Sequence, residues 1–152
     1  MYTPIALRPT GTANWPTSGT QVVVFLSPQP ADQPFDFDAA VTDTVTALVE
    51  DLRRLVEARA AGITAVESVV LYIDNPDLHD HEAQAVLEGL FEAARGIAGS
   101  LTLELGATGL RVNVVRSRDW ANATSTLEFL AAPEASFVAG ATLELRELVV
   151  PA

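Results

Sequence analysis

The side chains best suited to chemistry lie in one acidic stretch that contains both histidines. Asp74 ends an apolar run, Asp77 follows shortly after it, and residues 79–82 read His-Asp-His-Glu. Imidazole and carboxylate groups this close together can chelate a metal ion. A zinc site, however, needs three or four converging ligands, and the chain has no other histidine and no cysteine. We favour a solvated loop in which Asp77 or Asp80 caps the following helix, and we predict no metal site.

Asp74 and His79 also form a conceivable acid–base pair for a hydrolase or an isomerase. A carboxylate and a histidine after a strand lie where α/β sheets place their active sites. No Gly-x-Ser-x-Gly turn or other activated nucleophile accompanies them. A strand-ending turn at residues 74–76, Asp-Asn-Pro, is the simpler interpretation. An unrelated enzyme that uses Asp74 and the loop containing His79 and His81 is therefore the least favoured hypothesis.

Composition narrows both the class of protein and the class of partner. The 152 residues are 49% hydrophobic and 19% charged, which is typical of one globular domain. The formal net charge of −11 argues against nucleic acid and anionic membranes as partners. The sequence contains neither a signal-peptide pattern nor an apolar run of membrane-spanning length, so we expect a cytoplasmic protein. All nine basic residues are arginines, and the chain contains no lysine.

Strand and helix patterns alternate along the chain. Residues 1–20 are rich in Thr, Pro and Gly and are predicted to be largely irregular. The predicted strands are residues 4–7, 21–26, 66–73, 110–115 and 141–149. The predicted helices are residues 39–61, 83–105 and 125–131, with Asp36 or Asp38 as the first N-cap and Gly62 as the first stop. This order predicts one α/β domain over residues 1–152, with a mainly parallel sheet flanked by helices.

The predicted helix over residues 83–105 is apolar on two sides. Its larger apolar stripe consists of Leu87, Leu90, Phe91, Ala94, Ile97, Ala98, Leu101 and Leu105. A second stripe of small or apolar residues consists of Val86, Gly89, Ala93, Gly96 and Ser100. A helix that is apolar on two sides is expected to be covered on two sides. One cover is this chain's own sheet, and we predict that the other is a different chain.

Two blocks of sequence carry a resemblance to a known family. Residues 104–113 read Glu-Leu-Gly-Ala-Thr-Gly-Leu-Arg-Val-Asn, and residues 129–143 read Phe-Leu-Ala-Ala-Pro-Glu-Ala-Ser-Phe-Val-Ala-Gly-Ala-Thr-Leu. In this order they resemble the C-terminal part of a short-chain dehydrogenase/reductase, which typically reads E-L-A-x-x-G-I-R-V-N and F-L-x-S-x-x-A-S-F-V-T-G-x-x-L. The resemblance extends back to about Val22 and implies a truncated Rossmann-like sandwich. Function does not follow from the fold, because it lies in the site.

The residues that the family's chemistry needs are not at the matching positions. The family uses a Tyr and, one helical turn later, a Lys, and counting back from Arg111 puts Leu87 and Phe91 there. The position of the family's Ser falls near Asp74. None of the nine glycines forms the glycine-rich dinucleotide turn, and the resemblance puts the start of the chain near the family's fourth strand. We therefore expect a truncated, degenerate relative with no catalytic, cofactor-binding or metal-binding residues.

The resemblance also implies an assembly surface. In the family, the helices that match residues 39–61 and 83–105 form a four-helix interface with a neighbouring subunit, and the last strand makes a second contact. Trp15 and Trp120 are candidates for lining a pocket, but we favour packing or interface roles for both. For Trp120 we prefer the interface, because it lies where the family's substrate-covering loop is shortened in this chain. The predicted interface residues are Leu48, Leu52, Val86, Gly89, Ala93, Gly96, Ser100, Trp120, Leu143 and Leu145.

Together these features predict a non-catalytic short-chain-dehydrogenase-like subunit. Its predicted partner is a full-length, catalytically active member of that family, which it stabilises or whose substrate site it completes in a heterodimer or heterotetramer. The alternative is a self-associating homo-oligomer that binds a small molecule or a carrier domain.

Overall fold

A five-stranded parallel sheet forms the centre of the chain, whose computed structural model describes residues 4–26, 38–74 and 81–145. In sheet order the strands are β1 (Ile5–Leu7), β2 (Gln21–Leu26), β3 (Ser68–Asp74), β4 (Arg111–Ser117) and β5 (Thr142–Leu145). The helices are α1 (Thr44–Ala60), α2 (His81–Leu105) and α3 (Trp120–Ala131). The predicted α/β class, with a Rossmann-like parallel sheet flanked by helices, is confirmed.

The three central strands are buried on both sides, which explains their composition. β2 and β3 are continuous runs of Val, Leu, Ile and aromatic residues, in which nearly every residue is buried. Strands covered on both faces lose the alternation of polar and apolar residues that a half-exposed strand shows. Val22, Val69 and Val112 are register partners across these strands, so their side chains form one apolar layer.

The helices cover the two faces of the sheet unequally. α1 and α2 pack against the face that includes Val22, Leu71 and Val114, which we call the first face. α3 packs against the second face, which includes Val23 and Val70. Because successive strands step across the sheet in one direction, the β4–α3–β5 crossover has the opposite hand to those through α1 and α2. Parallel crossovers are right-handed in about 98% of cases, so the last crossover is the unusual one.

The ends of α1 follow from local hydrogen bonding. A π-helical turn, Asp38–Asp43, precedes α1, so the predicted helix over residues 39–61 has the right extent but an irregular first turn. At the other end, Gly62 has a φ of 73°, and its amide donates to Arg59 O while the Ile63 amide donates to Ala58 O. These two bonds form the Schellman motif that commonly ends helices at glycine. The predicted stop at Gly62 is confirmed.

The other boundaries differ from the prediction in informative ways. α3 begins at Trp120 rather than residue 125, because Asp119 caps it: its Oδ1 accepts from the Asn122 amide at 2.8 Å. β4 continues to Ser117, two residues beyond its predicted end, so only Arg118 and Asp119 lie between β4 and α3. β5 is described to Leu145, and the rest of the predicted strand lies outside the described residues.

A buried carboxylate fastens residues 8–20, the β1–β2 connection, across α1. Asp51 of α1 is 2% exposed, and its two carboxylate oxygens accept from the amides of Thr10 and Ala13, each at 2.9 Å. Trp15 Nε1 donates to the Asp51 carbonyl at 2.9 Å. We call residues 8–20 the strap, because these bonds hold the segment against the side of α1.

The two sequence blocks that carry the family resemblance contact each other. Arg111 is buried, and its Nη1 donates to the carbonyls of Leu130 and Ala135. Asn113, which is fully buried, donates to the Val138 carbonyl and accepts from the Ala141 amide. The carbonyls at a helix C-terminus favour a nearby cation, so Arg111 secures the end of α3. These motif residues therefore have a structural role in this chain.

Candidate functional site

An apolar groove lies between α1 and α2 on the outer side of the first face. Its volume is about 610 Å³, and Arg53 and Glu104 provide its charged groups. Its other lining residues are Val45, Val49, Leu52, Val56, Ala93, Gly96, Ile97, Ser100, Leu101 and Leu105. We call this surface the helix groove. A contiguous apolar surface of this kind on a globular chain usually marks a binding site.

On the outward side of α2, beside the helix groove, Gly96 leaves open space and Leu103 projects into solvent. A Cβ added at Gly96 would meet no atom within 4 Å, so packing within the chain does not explain this glycine. Leu103, seven residues later and on nearly the same side of the helix, is 90% exposed. It extends the spacing of Gly89, Ala93, Gly96 and Ser100 by one more step of three residues. Leu103 is not among the predicted interface residues, although this spacing identifies it.

Three of the predicted interface residues lie in the core instead. Leu48, Leu52 and Val86 are 1%, 3% and 1% exposed and belong to the core of the first face. Leu52 also forms the floor of the helix groove. Helical periodicity identifies an apolar side chain but does not tell which apolar stripe faces inward, and the sheet covers these three. Only Leu52, through the groove floor, is in a position to touch a second chain.

The remaining predicted interface residues divide between two surfaces. Ala93, Gly96 and Ser100 line the helix groove, and Gly89 lies on the same helix and is partly exposed. Trp120, Leu143 and Leu145 lie on the second face, where they are partly buried against the core beneath α3. The structure therefore does not bring the ten predicted residues into one continuous surface.

The chain leaves β3 and β4 toward opposite faces of the sheet. Asp74 and Ser117 end these strands as register partners. β3 leads toward α2 on the first face, and β4 leads to α3 on the second face. Open α/β sheets bind ligands in the crevice that such a divergence creates at the carboxyl ends of strands. We call this place the edge crevice.

Three aromatic side chains lie on the second face beside the edge crevice. The rings of Phe25, Tyr72 and Trp120 are in mutual contact, with centroids 5.1 to 5.3 Å apart. The Tyr72 hydroxyl donates to Asp74 Oδ1 at 3.3 Å, and burial raises the pKa of Tyr72 far above its usual range. Burial also raises the pKa of the Asp74 carboxyl, and the charge of Asp119 acts in the same direction. Asp74 is thus engaged with a tyrosine.

The structure describes only part of the acidic stretch that contains the histidines. His79 and Asp77 lie outside the described residues, and His81 is the exposed first residue of α2. Across residues 4–26, 38–74 and 81–145 no group of three or more His, Cys, Asp or Glu side chains is placed to hold a metal ion.

The two positions that match the family's Tyr and Lys face the core. Leu87 is fully buried, and Phe91 is 5% exposed. The guanidinium of Arg116 lies 4.6 Å from the Phe91 ring centroid and pairs with Glu88 of α2, while Glu144 lies 3.8 Å away. Arg116 of β4 therefore packs against Phe91, at the position that matches the family's Lys.

Comparison with solved structures gives significant matches, whereas no protein-family model and no curated protein matches. A 4-hydroxyisoleucine dehydrogenase complexed with NADH and succinate is 14% identical, with a TM-score of 0.59 over 81% of this chain and 65% of that protein. A 3-ketoacyl-ACP reductase from Sinorhizobium meliloti is 17% identical, with a TM-score of 0.59 over 83% and 66%. A citronellol catabolism dehydrogenase from Pseudomonas aeruginosa is 16% identical, with a TM-score of 0.54 over 83% and 60%.

This chain has a Rossmann-like fold, similar to that of these three structures. At these identities the likeness concerns the fold alone, and the chain spans 60 to 66% of the length of these three structures. Within the described parts of the chain, no helix is long and apolar enough to cross a membrane.

The described residues of this Rossmann-like sheet do not fit a dinucleotide. Such a site needs a glycine-rich turn that leads from a strand into a helix N-terminus, where backbone amides bind the pyrophosphate. No helix forms in the strap that follows β1. The turn from β4 to α3 consists of Arg118 and Asp119, contains no glycine and places a carboxylate at the helix N-terminus. A carboxylate there repels a phosphate group.

Proposed function

We propose that this chain is a non-catalytic, short-chain-dehydrogenase-like subunit that binds a catalytically active dehydrogenase of the same fold through α1 and α2. In this proposal the chain stabilises its partner or completes the partner's substrate site, and the complex is cytoplasmic. The helix groove carries the proposal, since it is a contiguous apolar surface that the described residues leave open.

The absence of dehydrogenase chemistry is supported by the chain itself. A Tyr–Lys pair cannot form, because the sequence contains no lysine. The two matching positions, Leu87 and Phe91, hold apolar side chains that are directed into the core. A proton donor must reach a substrate through hydrogen-bond contact, and neither residue has a titratable group.

A partner of the same fold is supported by the shape of the surface. Two neighbouring helices with a groove between them can pack against a second pair of helices, because side chains of one pair can fill the groove of the other. Gly96 leaves room for a close approach, and Val49, which is 46% exposed, offers apolar area at the groove. An acidic chain of net charge −11 also favours a less acidic partner over a copy of itself.

The same proposal includes a shortened sheet, which lacks strands of the family's cofactor-binding half. In a Rossmann sheet of order 3-2-1-4-5-6 the first strand neighbours the fourth. If β1 and β2 match these two strands, the strap stands in place of the intervening strands and helices. The cofactor-binding half would then be shortened within the chain.

Self-association is the second candidate, and one observation favours it. In a two-fold pair of antiparallel α2 helices centred between Gly99 and Ser100, Leu103 of each chain would lie opposite Gly96 of the other. A residue pair that is reciprocal in this way is what a two-fold interface requires. Such a homo-oligomer would bind a small molecule or a carrier domain.

Co-expression distinguishes the two candidates. The chain is produced with a full-length dehydrogenase that has an intact Tyr-x-x-x-Lys, chosen from the genes adjacent to its own, and the mass of the purified complex is measured. A mass containing both chains supports the proposal. A mass that is a multiple of this chain alone, with the dehydrogenase absent, supports the second candidate and contradicts the first.

A further inference from the structure

Three aromatic side chains pack together on the second face beside the edge crevice. Phe25 of β2 and Tyr72 of β3 are register partners, and their rings meet edge to face at 5.3 Å. Trp120, the first residue of α3, brings its indole to 5.1 Å from both rings. All three rings lie on the second face, near the carboxyl ends of the strands. Edge-to-face contacts at these distances are favourable ring packing.

Trp120 differs from its two neighbours in the element that carries it. Phe25 of β2 is paired with Tyr72 of β3, and Tyr72, which is also paired with Val115 of β4, is 1% exposed. Trp120 instead comes from the helix that follows β4, the strand whose connection turns to the second face. It is partly exposed, so its indole lies between the crevice and solvent. Its ring is the one that can be removed without disturbing the sheet.

We propose that the edge crevice is a latent binding site for a planar aromatic ring of indole size, and that the side chain of Trp120 occupies it. Phe25 and Tyr72 form its walls, and Ala123 and Leu127 of α3, both fully buried, hold the helix that closes it. The walls stay in place without the indole, because strand pairing and the Tyr72–Asp74 hydrogen bond fix them. The site would therefore exclude an external ring in the wild-type protein and accept one when Trp120 is shortened.

Indole binding to the Trp120→Ala variant tests this proposal. An apolar cavity left by a large side chain can stay open and bind a molecule that replaces it. Titration calorimetry should show saturable binding of indole to the variant, and saturating indole should raise its Tm by roughly 2 °C or more. The wild-type protein should show neither effect. Phe129→Ala is the matched control, since this α3 aromatic is 47% exposed and its removal opens no enclosed space.

The remaining outcomes are also decisive. If Trp120→Ala is unfolded alone and indole restores its circular dichroism spectrum, the proposal is supported. If indole does not restore it, Trp120→Leu is tested with benzene, because leucine leaves a smaller space; ring-dependent stabilisation supports the proposal. A folded variant that binds no ring, or the absence of ring-dependent stabilisation in both variants, overturns it. The helix groove is on the opposite face, so this result is independent of the proposed association.

Discussion

Arg116 changes the local chemistry at the position where the resembled family has its lysine. Its guanidinium is stacked on the Phe91 ring and paired with Glu88, and its side chain is only 12% exposed. A charge buried to this degree is tolerated because both an aromatic face and a carboxylate compensate it. A second cation placed at residue 91 would meet the first at short range.

The Leu87→Tyr/Phe91→Lys double variant therefore should gain no dehydrogenase activity and should lose stability. Tyrosine overfills a fully buried site, and the lysine ammonium lies near Arg116, so we expect a loss of roughly 3 kcal/mol or more in the free energy of unfolding. Urea denaturation and NADH-oxidation assays measure the two effects. Glu92→Lys, an exposed charge change on the same helix, is the control, with an expected change below about 1 kcal/mol. Turnover in the double variant would contradict the prediction.

The Glu88–Arg116 pair predicts a pH-dependent contribution to stability. The hydrogen bond from Arg116 lowers the pKa of Glu88 below its ordinary value of 4.5. A carboxylate whose pKa is lower in the folded state stabilises the fold above the unfolded-state pKa, and this contribution disappears as pH falls through the folded-state pKa. The free energy of unfolding of the wild type should therefore exceed that of Glu88→Gln at pH 7. Because Glu88 is half exposed, the difference should be less than about 1 kcal/mol. The difference in urea midpoints should shrink below pH 4.5, and a constant or growing difference would refute the assignment.

At the scale of elements, the strap depends on one residue of α1. Asp51→Ala leaves the Thr10 and Ala13 amides without their acceptor and should cost about 2 to 4 kcal/mol in urea denaturation. Asp51→Asn keeps the shape and one acceptor oxygen and should cost less. Hydrogen exchange at these two amides should become faster in both variants. Unchanged exchange in Asp51→Ala would show that the strap is held by other contacts.

The sequence predicts most of the helices and strands, but it predicts little about how they pack against one another. Apolar runs and helical stripes predict the central strands, α1 and α2 correctly, because a buried strand or an amphipathic helix needs those patterns wherever it packs. α3 is predicted five residues too short, since the capping bond of Asp119 to Asn122 depends on where β4 ends. The unusual hand of the last crossover is not predicted at all, because it is a property of how whole elements are arranged.

The candidate surface is predicted only in part for a related reason. Val86 and Gly96 belong to the same apparent stripe, yet one is 1% exposed and the other has open space beyond its Cα. A helical stripe in the sequence shows the direction of the helix's apolar side to within a few tens of degrees. Packing against the sheet and α1 determines which residues of that stripe are buried.

At the scale of the whole molecule, an exposed apolar groove has an energetic consequence. A permanent interface commonly buries about 2,000 Å² or more and is rich in apolar side chains. A surface of that kind left uncovered promotes aggregation or self-association. The isolated chain should therefore be poorly soluble or self-associated, and it should become well behaved with its partner.

Sedimentation velocity of the wild-type chain, alone and with its co-expressed partner, tests the central claim most directly. Alone at micromolar concentration the chain should sediment as oligomers or aggregates, and with the partner it should form one complex. Gly96→Glu places a charge in the helix groove without a clash in its own chain, so it should abolish the complex while retaining the circular dichroism spectrum. Gly106→Glu, the same change at a position that does not line the groove, should leave assembly intact. A wild-type chain that sediments as a stable monomer, or a Gly96→Glu variant that assembles fully, would contradict the account.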